Sequence, residues 1–441
     1  MSATSTQRID RLTALHPRLI DLKLDRIERL LAALDHPQNR LPPVIHVAGT
    51  NGKGSTIAFM RAILEAAGLA VHVYTSPHLV TMHERIRLGR SGGGSLVTEA
   101  DLAHALARCE EANQGLPITI FEVLTAAAVL LFSEHPADLL LLEVGLGGRY
   151  DATNIIEKPL ATVITPVSFD HTDFLGSTID AIALEKAGII KPSTPVIVAR
   201  QPFALAAQII QKAALRQRAP LWREGEDYHV LEENGRLIYQ DDRGMLDLPL
   251  PRLAGLHQQI NAGTAIAALR STGFGRQDLH CFEEGMRTAS WPARLQNISK
   301  SPLAALLPSG SDLWLDGGHN SDGARAVVAS LAPLLQRPAR PFVLVTGLLN
   351  TKDSQAFLEQ FRPLAPHVIA IPVPDQAASR PAAELAAQAR QIGLTAQEAA
   401  DCHAALSLIA AQRFETPPCV LICGSLYLAG DVLARSNLRP D

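Results

Sequence analysis

The 441-residue chain is poor in aromatic residues (5%), in charge (19%) and in cysteine, of which it has five: Cys109, Cys281, Cys402, Cys419 and Cys423. An odd, widely spread set argues against a disulfide framework and fits a reducing cytoplasm. Cys419 and Cys423 flank "VLI" in a strand-like run, so their offset sets both on one face as buried thiols rather than as a metal pair. No uncharged run of 18 apolar residues occurs, which speaks against a membrane-spanning helix. The start, "MSATSTQRIDRLTALHP", has no apolar h-region and does not read as a secretion signal. Basic residues number 40 against 44 acidic, a net charge of −4, and no basic block is long enough to track a phosphodiester backbone. Nucleic acid is therefore not expected as a partner, whereas a small anion held at one local site is compatible with this balance.

What the chain does have is alternation. Short apolar runs such as "VIHVAG", "VHVYT", "DLLLLEV", "LATVITP" and "PVIVAR" alternate with segments of helical spacing such as "STIAFMRAILEAAG", "FEVLTAAAVLLFSEH" and "TIDAIALEKAGII". Buried runs of this kind imply a mostly parallel sheet covered on both faces. From 221 to 250 the period changes to two, with turn signals at Asn234-Gly235 and Arg243-Gly244, which predicts a small antiparallel meander. The pattern breaks near Pro292 and Pro302 and then restarts. The expected fold is α/β: a P-loop ATPase domain with a mostly parallel sheet over 1–296, plus a smaller C-terminal Rossmann-like α/β domain over 297–441. The patch "SGGGS" at 91–95 reads as a loop tip.

The segment "VIHVAGTNGKGS" carries the first chemistry. It departs from the common phosphate-loop spacing, because Lys53 precedes the second glycine, Gly54, and Ser55 directly follows it. The physics nevertheless holds. A strand running through a glycine loop into a helix aims backbone N–H groups and the helix dipole at one point. Gly49, Thr50, Asn51, Gly52, Lys53, Gly54 and Ser55 would cradle a nucleotide, Lys53 supplying charge to a terminal phosphate and Ser55 a hydroxyl to Mg²⁺. The competing reading is a glycine-rich turn that binds nothing.

Taken together, "HVAGTNGKGST", "YTSPHL" with "ERIRLG", "LLEVGLGGRYDATN", "FDHTDFLGSTIDAIALEKAGIIK", "HQQINA", "WPARLQ", "DGGHN" and "VLICGSLYLAG" resemble the bacterial bifunctional dihydrofolate synthase/folylpolyglutamate synthases of the Mur ligase superfamily. The segments keep their order from about residue 20 to residue 430. "GTNGK" alone would also suit Mur-type cell-wall ligases; "TSPHL", "GGRYDATN" and "DHTDFLG" are more specific to the folate branch.

The resemblance implies an ATP-dependent amide ligase. A carboxylate attacks the γ-phosphate to give an acyl phosphate, and the amine of L-glutamate displaces phosphate, leaving an amide and ADP. The substrates implied are dihydropteroate and reduced folates, with ATP and two Mg²⁺ ions, in a cytoplasmic monomer. It implies a first ion on Ser55, Ser76 and Glu143, and a second on His171 and Lys186, the lysine being carbamylated. Lys53, His319 and Lys186 take the catalytic roles. Asn261, Arg294 and Asp316 are the further nucleotide contacts, with the second domain closing over ATP. The pteroate pocket is implied to combine Ile20, Asp21 and Leu22 with Thr119, Ile120, Phe121 and Glu122 and with Tyr150, Asp151 and Ala152, under the loop "SPHLVTMHERIRLG". The chemistry of several of these residues is also open to plainer readings. Ser76 could be a turn hydroxyl, Lys186 a solvated helix lysine, Phe121 a core aromatic, and "DGGHN" a tight turn with an N-cap from Asn320. Glu143 is harder to dismiss, since an acid ending an apolar run needs a partner.

Two departures from the family pattern stand out: Tyr150 where an aliphatic residue is usual, and Gly317, Gly318 and Ser321 around His319 where the family often has D-V-A-H-N-P. Three other functions compete. One is folylpolyglutamate synthase activity alone. Another is a Mur-type amino-acid ligase, for which no uridine-binding domain precedes the phosphate loop. The last is a P-loop kinase or GTPase, for which the second domain is unneeded and no N-K-x-D appears.

Overall fold

The computed structural model describes residues 4–15, 22–276, 278–336 and 340–438. The chain divides into two compact units. One runs to Arg252 and includes Gln259–Ala289; the other takes Leu253–Gln258 and continues from Ser290.

The first unit is built on an eight-stranded sheet of β1 (Val44–Ala48), β2 (Val71–Tyr74), β3 (Ile86–Arg90), β4 (Gly93–Leu96), β5 (Leu139–Glu143), β6 (Ala161–Ile164), β7 (Val196–Val198) and β8 (Leu221–Arg223), in the order β4-β3-β2-β5-β1-β6-β7-β8. From β2 to β8 all neighbours pair in parallel, while β3 and β4 add an antiparallel edge. The strands are apolar because both faces are covered. One core packs Val123–Phe132 of the helix Ile120–Glu134 against Leu140 and Leu142, and a second packs Ile182, Ala183 and Ile210 against Ile164, Val196 and Val198.

The antiparallel edge corrects two expectations. Gly93–Ser95 are strand rather than loop tip, and they lie flat on β3: a Cβ on Gly94 would stand 2.7 Å from the Leu88 carbonyl oxygen. The last four residues of "SPHLVTMHERIRLG" lie in β3, after a 3-10 turn at Met82–Arg85, so the loop proper is shorter than expected.

Three further strands, β9 (Tyr228–Glu233), β10 (Arg236–Asp241) and β11 (Gly244–Pro249), form the expected meander as a sheet of their own. Asn234 and Gly235, both at positive φ, make the first turn. The second turn is Asp242-Arg243, with Gly244 already paired to Asp241. The root of the meander grips the helix that carries Asn261. Tyr228 and Tyr239 stack at 5.9 Å, the Tyr228 hydroxyl reaches Thr264, and a buried Arg270–Asp241 ion pair closes at 2.7 Å.

The second unit holds β12 (Gln296–Asn297), β13 (Asp312–Leu315), β14 (Phe342–Thr346), β15 (His367–Ala370), β16 (Thr395–Glu398) and β17 (Cys419–Cys423), in the order β12-β13-β17-β14-β15-β16. All pairs but β12–β13 are parallel. It takes up at Ser290 rather than at 297, because Gln296 and Asn297 pair with Leu315 and Trp314. Cys419 and Cys423 share its core as free thiols, one face of one strand.

Candidate active site

β1 delivers the chain into the glycine loop, and the helix Lys53–Ala66 leaves it. Two glycines are required there by contact and by backbone angle. A Cβ on Gly49 (φ 148°) would stand 1.8 Å from Thr165 Oγ1, and one on Gly52 (φ 89°) would stand 2.4 Å from Asn261 Oδ1. Thr50 and Asn51 donate their N–H groups to the Pro166 carbonyl at 2.9 and 3.3 Å, and Thr50 Oγ1 donates to Ser168 O and accepts from Ser168 N, both at 3.0 Å. The loop is thereby tied to the segment after β6. The first helical bond is Thr56 N–H to Gly52 O at 2.9 Å, so the N–H groups of Lys53, Gly54 and Ser55 have no acceptor within the helix. They point where an anion would be held.

Two ammonium groups converge on one carbonyl. Lys53 Nζ donates to Gly49 O at 3.1 Å and to Thr50 O at 3.3 Å, and Lys186 Nζ donates to the same Gly49 O at 3.0 Å. Sequence spacing suggested a solvated Lys186, yet it is 5% exposed. The reason is the close seat of the helix Ile179–Ala187 on the loop "GLGGRY": Arg149 N–H donates to Glu185 O at 2.8 Å, and a Cβ on Gly148 would lie 2.7 Å from that carbonyl oxygen. Burial, then the charge of Lys53, pulls the Lys186 ammonium down to about 7, against the opposing pull of Asp170, Asp151 and Glu185.

Glu143 ends β5 buried, 3.9 Å from Lys53 Nζ, and accepts from Ser76 N–H at 3.3 Å. Ser76 Oγ beside it is buried and finds no hydrogen-bond partner among the described residues. A buried hydroxyl with nothing to bond is costly and fits a hydroxyl ligand of a hard cation. Ser55, also buried, sits in the first turn of the helix. Among the described residues no cluster of three or more His, Cys, Asp or Glu side chains gathers. His171, at φ 53°, is half-exposed with Nε2 4.0 Å from Asp170 Oδ2. Asp170 was not singled out from the sequence; its only signal was its position beside His171 in "FDHTDF".

On the pterin side, Ile20 and Asp21 lie outside the described residues. Leu22 packs at the margin of the core that holds Val144 and Ile164. Thr119 caps the helix Ile120–Glu134 in a reciprocal box with Glu122. The Glu122 carboxylate also takes Arg26 at 3.0 Å, so this residue is an ion-paired cap. Ile120 and Phe121 border the first core, and the Phe121 ring lies so close to Gly145 that a Cβ there would be 2.3 Å away. Tyr150 is 41% exposed under the Arg149 guanidinium at 4.9 Å, and Ala152 is core. Asp151 is buried: it accepts from Leu146 N–H at 2.7 Å, Thr153 N–H at 3.0 Å and Thr153 Oγ1 at 2.5 Å. Burial pushes this carboxyl up from its ordinary range, against those donors. In this conformation it organises its own loop.

Asn261 is buried against Gly52. In the second unit, Asp316 follows β13 and is buried; its oxygens accept from Leu295 N–H at 2.7 Å and Gly318 N–H at 2.6 Å. Arg294, between Ala293 and Leu295 at positive φ, donates to Ala293 O at 2.9 Å. His319 Nδ1 donates to Gly317 O at 3.0 Å, and Asn320 Oδ1 accepts from Gly323 N–H at 2.8 Å, the cap read from the sequence. "WPARLQ" and "LDGGHN" are thus knitted together within one unit.

The chain is similar to known proteins along most of its length. The Mur ligase middle domain matches residues 47–269, and the Mur ligase glutamate ligase domain matches residues 305–426. The dihydrofolate synthase/folylpolyglutamate synthase of Escherichia coli strain K12 is 37% identical over 343 residues, 77% of this chain and 75% of that one. The solved E. coli FolC in complex with DHPP and ADP superposes with a TM-score of 0.85 at 30% identity, over 98% of this chain and 97% of that one. The bifunctional enzyme of Yersinia pestis complexed with AMPPNP and Mn ion also gives 0.85, at 32% identity and 98% of each chain.

Proposed function

We propose a residue-level mechanism for this chain, which belongs to the Mur ligase family and, within it, to the dihydrofolate synthase/folylpolyglutamate synthases. It is an ATP-dependent carboxylate–amine ligase that adds L-glutamate to dihydropteroate, giving dihydrofolate, and to reduced folates, giving polyglutamates. It uses ATP and a divalent metal.

Ser55, Ser76 and Glu143 hold the first Mg²⁺ in this reading, and the unpartnered buried Ser76 hydroxyl beside Glu143 is the observation that carries it. His171 and Lys186 serve a second ion. Burying Lys186 beside Lys53 would set two cations together at low dielectric; addition of CO2 to the neutral amine with loss of a proton, giving an anionic carbamate, would relieve that. The divalent ions would neutralise phosphate charge while the leaving ADP forms.

The chain's own groups do the rest. The helix N–H groups of Lys53, Gly54 and Ser55 orient the phosphates, and Lys53 meets charge developing at the transferred group. Asn261, Arg294 and Asp316 are proposed nucleotide contacts and His319 a phosphate-facing group. Leu22, Thr119–Glu122, Tyr150, Asp151 and Ala152 would border the pterin, with Ile20 and Asp21. Phe121 offers a stacking surface at the head of its helix. Asp151 would meet the pterin with the lone pairs its own loop leaves over. The free thiols support a cytoplasmic location, and we assign a monomer.

The test is phosphate release with ATP and glutamate, run once with dihydropteroate and once with tetrahydrofolate. Release that requires glutamate and either pterin is expected. ATP consumption that never joins glutamate to a pterin would overturn the reading.

A further inference from the structure

We propose that His46 is a positioning residue for the pterin-side carboxylate, acting through Thr153 on Asp151. This rests on the pterin-pocket reading above. His46 lies in the middle of β1 and is fully buried among apolar neighbours, where a valine would pack at no polar cost. Its Nε2 meets Thr153 Oγ1 at 2.9 Å, and Thr153 Oγ1 meets Asp151 Oδ1 at 2.5 Å. The directions of these bonds follow from chemistry. An ionised Asp151 only accepts, so the Thr153 hydroxyl donates to it. The hydroxyl oxygen must then accept from His46, which fixes the Nε2–H tautomer.

The remaining nitrogen, Nδ1, is buried and finds no partner among the described residues. The histidine therefore costs stability at one nitrogen and returns a single bond at the other. That bond fixes which way the Thr153 hydroxyl points, and the hydroxyl with two backbone N–H groups fixes Asp151. His46 stands three residues before Gly49, so one strand supports both the phosphate loop and the loop that carries Asp151.

Five variants and one control, Asp151→Asn, test this, each assayed for the KM of dihydropteroate and the KM of ATP. Gln places its amide nitrogen near the position of Nε2. His46→Gln and Thr153→Ser keep the donors and should hold the dihydropteroate KM within about threefold of wild type. His46→Leu and Thr153→Val lose them and should raise it about tenfold, with the ATP KM within about twofold. A double His46→Leu/Thr153→Val variant should be no worse than Thr153→Val alone. Equal rises in both KM values, or an unchanged dihydropteroate KM in Thr153→Val, would overturn the proposal. Asp151→Asn separates the two layers. If it leaves the dihydropteroate KM unchanged, the pocket reading fails; if it raises that KM while the His46 and Thr153 variants do not, the pocket stands and the relay fails.

Discussion

The phosphate loop at 49–55 and the loop at 145–154 leave neighbouring strands of one sheet, β1 and β5, yet they use their backbone N–H groups in opposite ways. The first ties down its leading edge on Pro166 and Ser168 and leaves the helix N–H groups pointing outward. The second turns its donors inward, onto Asp151. An outward set of donors waits for charge brought by a ligand. An inward set fixes a charge the protein itself supplies, here the carboxylate proposed to meet the pterin. Phosphate and pterin differ in the same sense, one rich in acceptors and the other presenting N–H groups.

The largest effect should come from breaking the outward loop at its cation. Lys53→Ala is expected to lower kcat with either pterin by about a thousandfold, near 4 kcal/mol, in the phosphate-release assay. Full activity in that variant would remove the lysine from the chemistry. Gly49→Ala comes next, because its Cβ would collide with Thr165. Overpacking and backbone strain together predict about 3 kcal/mol of lost stability, read by urea unfolding. On the inward side, Asp151→Ala should raise the dihydropteroate KM more than it weakens nucleotide binding; equal effects would mean the two loops do not divide the work.

Acid should act in part through the histidine beneath the inward loop. Burial, then the charge of Lys191, pulls His46 down to about 3, below its ordinary value of 6.5. Between those values the unfolded chain binds the extra proton and the folded chain does not, so stability rises with pH across that window and falls on acidification. A loss of a few kcal/mol from pH 6.5 toward 3 is expected, and His46→Gln should flatten that slope in pH-dependent unfolding. The smallest effect belongs to the tether: Thr50→Val removes two hydrogen bonds to Ser168 and should cost about 1 to 2 kcal/mol, with a modest rise in the ATP KM.

Much of this was legible in the sequence. Apolar runs alternating with helical spacing gave the parallel sheet, and "GTNGKGS" located the phosphate loop, because both signals are local. What escaped was set by partners far along the chain. Spacing alone reads Lys186 as a solvated helix residue, and only the family resemblance marked it; its burial comes from the glycines at 147 and 148, which let its helix settle on their loop. Gly93–Ser95 read as a loop tip because their strand character comes from pairing with β3. His46 carried no signal at all, since its meaning depends on Thr153, more than a hundred residues away.

The meander from Tyr228 to Pro249 has a stiff base and an outlying tip. Its base is bolted to the helix of Asn261 by the Tyr228 hydroxyl on Thr264 and the Arg270–Asp241 bridge, whereas Glu232 to Gly235 stand exposed. A short peptide reporter spliced between Asn234 and Gly235 should therefore be carried without harm, while trimming the hairpins back to their base would slacken the helix that seats Asn261 against Gly52.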